Sequence, residues 1–120
     1  MTKVRIGIDV MGGDFAPSAT IKGSVLALDK LADGIEIVLI GNQNQITNEL
    51  KKQQVDTSAF SIVNAPDIIE MGDHPTKAFV QKPKSSIAVG FGLLKQGKID
   101  GFASAGNTGA MFVGGYMSVK

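Results

Sequence analysis

The chain has 120 residues, of which 43% are hydrophobic and 19% are charged, and its formal net charge is +1. This length and composition fit one globular domain with a hydrophobic core rather than a disordered segment, and the near-neutral charge argues against nucleic-acid binding. The absence of cysteine excludes disulfides, thiolate metal ligands and a cysteine nucleophile, and neither a secretory signal nor an apolar run of membrane-spanning length is present.

The first half of the chain predicts two strands that alternate with helices. Alternating β-branched residues predict a strand over 4–10, and a helix follows from Pro17 or Ser18. A nearly continuous apolar run predicts a strand buried on both faces over 35–40, and a polar surface helix follows over 43–54. The residues predicted to face inward are Ile21, Val25, Leu28 and Ala32 in the first helix and Ile46 and Leu50 in the second.

The second half continues the alternation around one long connection. A third strand is predicted over 59–63 and a fourth over 99–104, with a helix between them that begins at Pro83 or Ser85. The connection over 67–84 is longer than an ordinary strand-to-helix turn, and such lengths are often functional. The remaining predicted features are a helical turn over 76–81 and a last helix that is capped by Asn107 or Thr108 and runs to Lys120.

Strands that alternate with helices predict an α/β fold with a parallel sheet between helical layers. In such a sheet the strand-to-helix loops lie at the carboxyl edge, where ligands bind. Loops over 9–14, 41–42, 64–83 and 104–108 therefore converge on one edge, and most of the unusual residues of the chain lie in them.

The segment over 104–110 has the sequence SAGNTGA and joins the fourth strand to the last helix. Its glycines permit close approach of backbone to a ligand, and a helix N-terminus offers unpaired N–H groups and a favourable dipole. The segment is therefore a candidate anion-binding site. The alternative is that its glycines serve turn geometry alone.

Two carboxylates flank the glycines of the first loop. Asp9 ends the first strand, and Asp14 follows five residues later across Gly12 and Gly13. These side chains could orient a phosphate-binding loop, hold Mg²⁺ or transfer a proton, or they could accept backbone N–H bonds and shape the turn. We favour loop shaping, because no further acidic residue stands at metal-ligand spacing.

The long connection combines cations with hydroxyls at a helix start. Lys77, Lys82 and Lys84 precede Ser85 and Ser86, and together they could hold a phosphate. A solvated basic loop with an ordinary serine N-cap is the alternative, and composition does not separate the two.

His74 is the single histidine of the chain and lies in the same connection. Its near-neutral pKa range suits a general acid or base. An exposed surface histidine is the alternative, and we favour it.

Residues 9–17, Lys82 with Ser85 and Ser86, and residues 104–110 occur in an order and spacing that resemble the PlsX-type phosphate acyltransferases of bacterial phospholipid synthesis. The likeness extends along the whole chain. It implies that residues 1–120 form the N-terminal portion of a single larger α/β domain. That domain would be a Rossmann-like α/β/α sandwich related to phosphotransacetylases and isopropylmalate dehydrogenases.

The resemblance implies a homodimer that transfers an acyl group from acyl carrier protein to inorganic phosphate, with acyl phosphate as product. This chemistry requires neither a metal nor an organic cofactor. Family members are considerably longer, so we expect this portion to be inactive alone. We expect a cytoplasmic protein that associates peripherally with the inner face of the membrane through parts outside this chain.

Site residues are assigned by position within these motifs. The expected catalytic residues are Asp9, Lys82 and Asn107. The expected substrate- and phosphate-binding residues are Gly12, Gly13, Asp14, Ser85, Ser86, Ser104, Gly106, Thr108 and Gly109. A kinase-like enzyme that binds nucleotide phosphates and a non-catalytic phosphate-binding domain remain alternatives.

Overall fold

The computed structural model describes residues 3–31 and 33–119, and over these residues it contains a four-stranded parallel sheet and five α-helices. The strands are β1 Val4–Asp9, β2 Ile35–Gly41, β3 Ser61–Asn64 and β4 Gly101–Ala103. The helices are α1 Ser18–Lys30, α2 Gln43–Lys52, α3 Pro75–Gln81, α4 Ser86–Lys95 and α5 Thr108–Val119. The predicted α/β class and parallel sheet are confirmed.

The strand order is β3-β2-β1-β4. The chain proceeds outward from β1 through β2 to β3 and then crosses back to place β4 on the other side of β1. Ile6 of β1 is in register with Ile37 of β2 and with Gly101 of β4. The order therefore reverses between β1 and β4, and the loops that leave these two strands start side by side at a position where α/β sheets bind ligands.

Helices cover both faces of the central strand β2. On one face Leu39 packs with residues of α1 and α2, including Ile21 and Ile46. On the other face Ile40 belongs to a cluster against which Val89 of α4 packs. Leu39 and Ile40 are both fully buried, as expected for a parallel strand between two helical layers.

Each of the four strands differs from prediction at one or both ends, by at most two residues. The third strand starts at Ser61 rather than at residue 59, because a short 3-10 turn over Thr57–Ala59 is capped by the carboxylate of Asp56. The fourth strand is only Gly101–Ala103, although Ile99 before it is buried. The predicted positions Ala32 and Lys120 lie outside the described residues.

The α5 helix has one packed and one exposed side. Phe112, Tyr116 and Met117 are at least half exposed, whereas Ala110 is fully buried. Phe91 of α4 contacts the packed side, where an added Cβ on Gly114 would lie 2.4 Å from its ring. Among the helices of the described residues, none has both the length and the apolar character needed to cross a bilayer.

Candidate functional site

The loops that leave β1 and β4 are joined by a buried hydrogen-bond network. Asp9 is only 2% exposed, and its Oδ1 accepts the backbone N–H of Met11 at 3.0 Å. Its Oδ2 accepts the hydroxyl of Ser104 at 2.7 Å, and that hydroxyl oxygen accepts the N–H of Gly106 at 3.0 Å. Asp9 therefore shapes its own turn, as predicted, and also fixes the start of the SAGNTGA segment.

Close approach of these two loops requires glycine in the loop that leaves β1. A Cβ on Gly12 would lie 2.7 Å from the backbone nitrogen of Gly106 and 2.8 Å from Oδ2 of Asp9. The Gly106 nitrogen is a backbone atom and Oδ2 of Asp9 is held by its hydrogen bond from Ser104, so a side chain at position 12 would displace the backbone. Gly13 adopts φ +100°, a conformation that other residues rarely adopt.

Asn107 caps the helix that follows. It is 4% exposed, and its Oδ1 accepts the N–H of Ala110 at 3.0 Å. The first N–H groups of a helix have no acceptor within the helix. Those of Thr108 and Gly109 are not bonded within the described part of the chain, so they remain available to an anion.

The connection between β3 and α4 folds against this helix start. The Nδ2 of Asn107 donates to the carbonyl of Glu70 at 2.9 Å and to that of Asp73 at 3.1 Å. Pro75, at the start of α3, packs so closely on Gly109 that an added Cβ would lie 2.4 Å from its ring. Asn107 thus joins the long connection to the SAGNTGA segment.

Lys82 is bound within the same connection. Its Nζ donates to the carbonyl of Ile68 at 2.8 Å and to Oδ2 of Asp73 at 2.9 Å, while Asp73 also accepts the N–H of Glu70 at 2.9 Å. The Lys82 ammonium, followed by the Glu70 N–H, holds the pKa of Asp73 below its ordinary value. Lys82 is therefore already paired with a carboxylate.

The two serines at the start of α4 are both buried. The hydroxyl of Ser85 accepts the N–H of Ala88 at 3.1 Å, which is the ordinary N-cap considered as an alternative above. Ser86 is 2% exposed, and its N–H donates to the carbonyl of Asp67. The α4 start reaches the SAGNTGA segment through Ile87, whose Cδ1 would lie 3.4 Å from a Cβ on Gly106.

Other predicted residues lie away from this network. Asp14 is exposed and forms no hydrogen bond or ion pair with the described residues, so the expectation that it shapes the first loop is wrong; Asp9 has that role. His74 is exposed, and its Nδ1 accepts the N–H of Lys77 at 3.3 Å as the cap of α3.

Sequence reasoning missed Asp73 altogether. The Asp73 carboxylate is paired with Lys82, and the backbone carbonyl of Asp73 accepts a hydrogen bond from the Asn107 amide. No sequence motif marked this residue. Its position directly before His74 and Pro75, at a helix start, was the available signal.

A groove of about 360 Å³ opens beside Asp9 on the α1 side of the sheet. Its lining includes Ile8, Thr20, Ser24, Ala103 and Ser104. Within the described residues no group of three or more histidine, aspartate or glutamate side chains is arranged to hold a metal ion. The site offers the backbone N–H groups at the start of α5, which suit an anionic oxygen ligand.

The chain is similar in sequence to one protein family and to several named proteins. The sequence model of a family described as "Fatty acid synthesis protein" matches residues 4–120. A protein named "Phosphate acyltransferase" from Caldicellulosiruptor bescii is 47% identical over 116 residues, which are 97% of this chain and 34% of that protein. Proteins of the same name from Dictyoglomus thermophilum and Fusobacterium nucleatum are 44% and 38% identical over 90% and 98% of this chain. The chain spans about a third of the length of these relatives.

Proposed function

The chain belongs to the fatty acid synthesis protein family, and from this premise we propose that the full-length protein transfers a fatty acyl group from acyl carrier protein to inorganic phosphate. The name of the relatives, phosphate acyltransferase, supports the reaction class. The observation that carries the proposal is the α5 N-terminus, whose Thr108 and Gly109 N–H groups, unbonded within the described residues, follow directly after the turn that the Asp9–Ser104 hydrogen bond fixes.

Phosphate at neutral pH is already an anion and a nucleophile, so it needs positioning more than activation. The first turn of α5 supplies N–H donors and the positive end of a helix dipole. The Asp9 carboxylate fixes the direction of the Ser104 hydroxyl group, and the Ser104 oxygen in turn accepts the N–H of Gly106. These two bonds hold the start of α5 in place. In this proposal Asp9 acts through Ser104, while Thr108 and Gly109 contact phosphate.

In the transfer step a phosphate oxygen forms a bond to the thioester carbon, and the carbonyl becomes a tetrahedral oxyanion. Backbone N–H groups directed at that oxyanion stabilise it. The carbon–sulfur bond then breaks, the thiolate of the carrier leaves and takes up a proton, and acyl phosphate is formed. A thiolate is a fair leaving group, so little acid assistance is needed.

The homodimer, the acylated carrier protein as partner, the cytoplasmic location and the peripheral contact with the membrane are part of the same proposal. They follow from the likeness to the PlsX-type enzymes. Lys82, Ser85 and Ser86 are candidate binding residues on the same ground, and Lys82 and Ser85 also have partners within the protein.

The test is a thiol-release assay on the full-length protein with long-chain acyl carrier protein, with and without inorganic phosphate. We expect release that depends on phosphate. Ser104→Ala should lower kcat/KM for phosphate roughly tenfold, because Gly106 and Asp9 both lose a partner. Ser58→Ala, which changes an exposed hydroxyl bonded to Asp56, is the matched control and should leave the rate unchanged.

Absence of phosphate-dependent thiol release in the wild-type protein would overturn the proposal. Turnover of ATP that requires Mg²⁺ would favour the kinase-like alternative instead. Phosphate binding without any turnover would favour a non-catalytic domain.

A further inference from the structure

We propose that Asp73 is a positioning residue of the anion-binding site, which holds Lys82 toward an anionic substrate and orients Asn107 at the start of α5. The assignment deepens the proposed function, and its kinetic test rests on that function. It concerns a side chain that contacts the candidate residues rather than the substrate itself.

The Asp73 carboxylate organises the loop over 68–73. Its Oδ2 accepts the Nζ of Lys82 and the N–H of Glu70, each at 2.9 Å. The Asp73–Lys82 pair is partly shielded, with about a third of each side chain exposed. Lys82 also donates to the carbonyl of Ile68, so the ammonium joins both ends of the loop.

The backbone of the same residue reaches the helix start. The Asp73 carbonyl accepts Nδ2 of Asn107 at 3.1 Å, and the Glu70 carbonyl accepts it at 2.9 Å. Asn107 is buried, and its Oδ1 caps Ala110. Because backbone carbonyls accept the NH2 group of Asn107, its Oδ1 can point in only one direction. The conformation of the loop over 68–73 therefore determines how Asn107 caps α5.

The charges explain why an acid suits this position. An ammonium has three N–H donors, and Lys82 uses two of them on Ile68 and Asp73. The third N–H donor of Lys82 remains for an anion. The two bonds to the protein hold the flexible lysine side chain in one direction, so that this donor has a defined position. Without the carboxylate, the ammonium would keep a single carbonyl partner, and the Glu70 N–H would lose its acceptor.

A labelling experiment tests the placement of Lys82 without reference to activity. Asp73→Ala and the control Asp67→Ala are compared in the full-length protein. Asp67 is an exposed acid of the same connection whose carboxylate bonds to none of the described residues. We expect the acetylation rate of Lys82, followed by mass spectrometry, to rise severalfold in Asp73→Ala, because the ammonium loses the carboxylate that holds it, and to stay unchanged in Asp67→Ala. Equal rates in the two variants would overturn the proposal.

Kinetics test the consequence for the site. We expect Asp73→Ala to raise KM for phosphate roughly tenfold with a smaller change in kcat, because phosphate placement is disturbed. Asp73→Asn keeps an oxygen acceptor and should restore part of the loss, and it serves if Asp73→Ala does not fold. Equal changes of KM and kcat in the Asp73 and Asp67 variants would contradict a positioning role. An unchanged KM in both Asp73→Asn and Asp73→Ala would contradict it as well.

The two hypotheses fail in different ways. If the wild-type protein shows no phosphate-dependent thiol release, the proposed function is wrong, and the labelling result still decides whether Asp73 places Lys82. If the wild type is active but the Asp73 variants behave like the Asp67 control, only the role of Asp73 is wrong.

Discussion

Asp9 is the residue on which the junction of β1 and β4 depends, because a buried carboxylate accepts two hydrogen bonds there from different loops. Asp9→Asn replaces one acceptor oxygen with a donor NH2 group. That group would face either the Met11 N–H or the Ser104 hydroxyl, and one buried donor would lose its partner in both cases. We expect a loss of about 1–3 kcal/mol in the free energy of unfolding, measured by urea denaturation.

Asp14→Asn is the matched control for this prediction, since Asp14 lies in the same loop but is exposed. It should change the free energy of unfolding by no more than about 0.5 kcal/mol. Equal losses from the two variants would show that the buried network at Asp9 is not what holds the junction.

Asp73 gives a pH prediction at the same scale. The Lys82 ammonium and then the Glu70 N–H lower the pKa of Asp73 in the folded protein. A carboxyl with a lowered pKa contributes stability that is present above its unfolded pKa and is lost as the pH falls through the folded pKa. The difference in unfolding free energy between wild type and Asp73→Asn should therefore be present at neutral pH and vanish in strong acid. A difference that does not change with pH would contradict this assignment.

At the scale of elements, the contact between the loop after β1 and the SAGNTGA segment leaves no room for a side chain. Gly12→Ala would place a Cβ within 3.0 Å of two backbone atoms of Gly106, so we expect it to destabilise the protein by about 1–3 kcal/mol. Gly23→Ala is the control, because an added Cβ in α1 meets no atom within 4 Å. It should stabilise by up to about 1 kcal/mol through helix propensity.

Thermal unfolding of the two alanine variants measures both effects, and their opposite signs are the distinguishing result. Destabilisation by both variants would mean that the loss at Gly12 is a general cost of replacing glycine rather than a consequence of the close contact with Gly106.

Elements with a strong local pattern were predicted well from the sequence. The apolar spacing of Ile46 and Leu50 marked the buried side of α2, and both are fully buried. Asn107 was one of two predicted caps for the last helix, and its side chain does cap α5. Such features depend on residues within one turn of each other, so their signals lie side by side in the chain.

Features that depend on the path of the long connection could not be predicted in this way. Lys82 meets Asp73 nine residues away, and Asn107 meets Glu70 across 37 positions. These contacts follow from how the connection packs on α5, which no local periodicity encodes. The sequence therefore identified Lys82 and Asn107 as candidates without the carboxylate that connects them.

At the scale of the whole molecule, the sheet is shared by two helical layers, and β2 is the strand that both layers bury. Neighbouring residues of this strand point to opposite layers, since side chains alternate along a strand. The carboxyl-edge loops come from both sides of the sheet, so the geometry of the site depends on the two layers folding together.

This dependence can be measured with Leu39→Ala and Ile40→Ala, which create cavities on opposite faces of β2. Both side chains are fully buried, so each variant should lose about 2–5 kcal/mol. If the layers form one cooperative unit, hydrogen exchange should show lower protection of the core amides in α1 and in α4 for both variants. Leu26→Ala, at a side chain that is 55% exposed, is the control and should leave protection nearly unchanged. Loss of protection confined to the layer facing each cavity would instead show that the layers unfold separately, and the site would then depend on each of them independently.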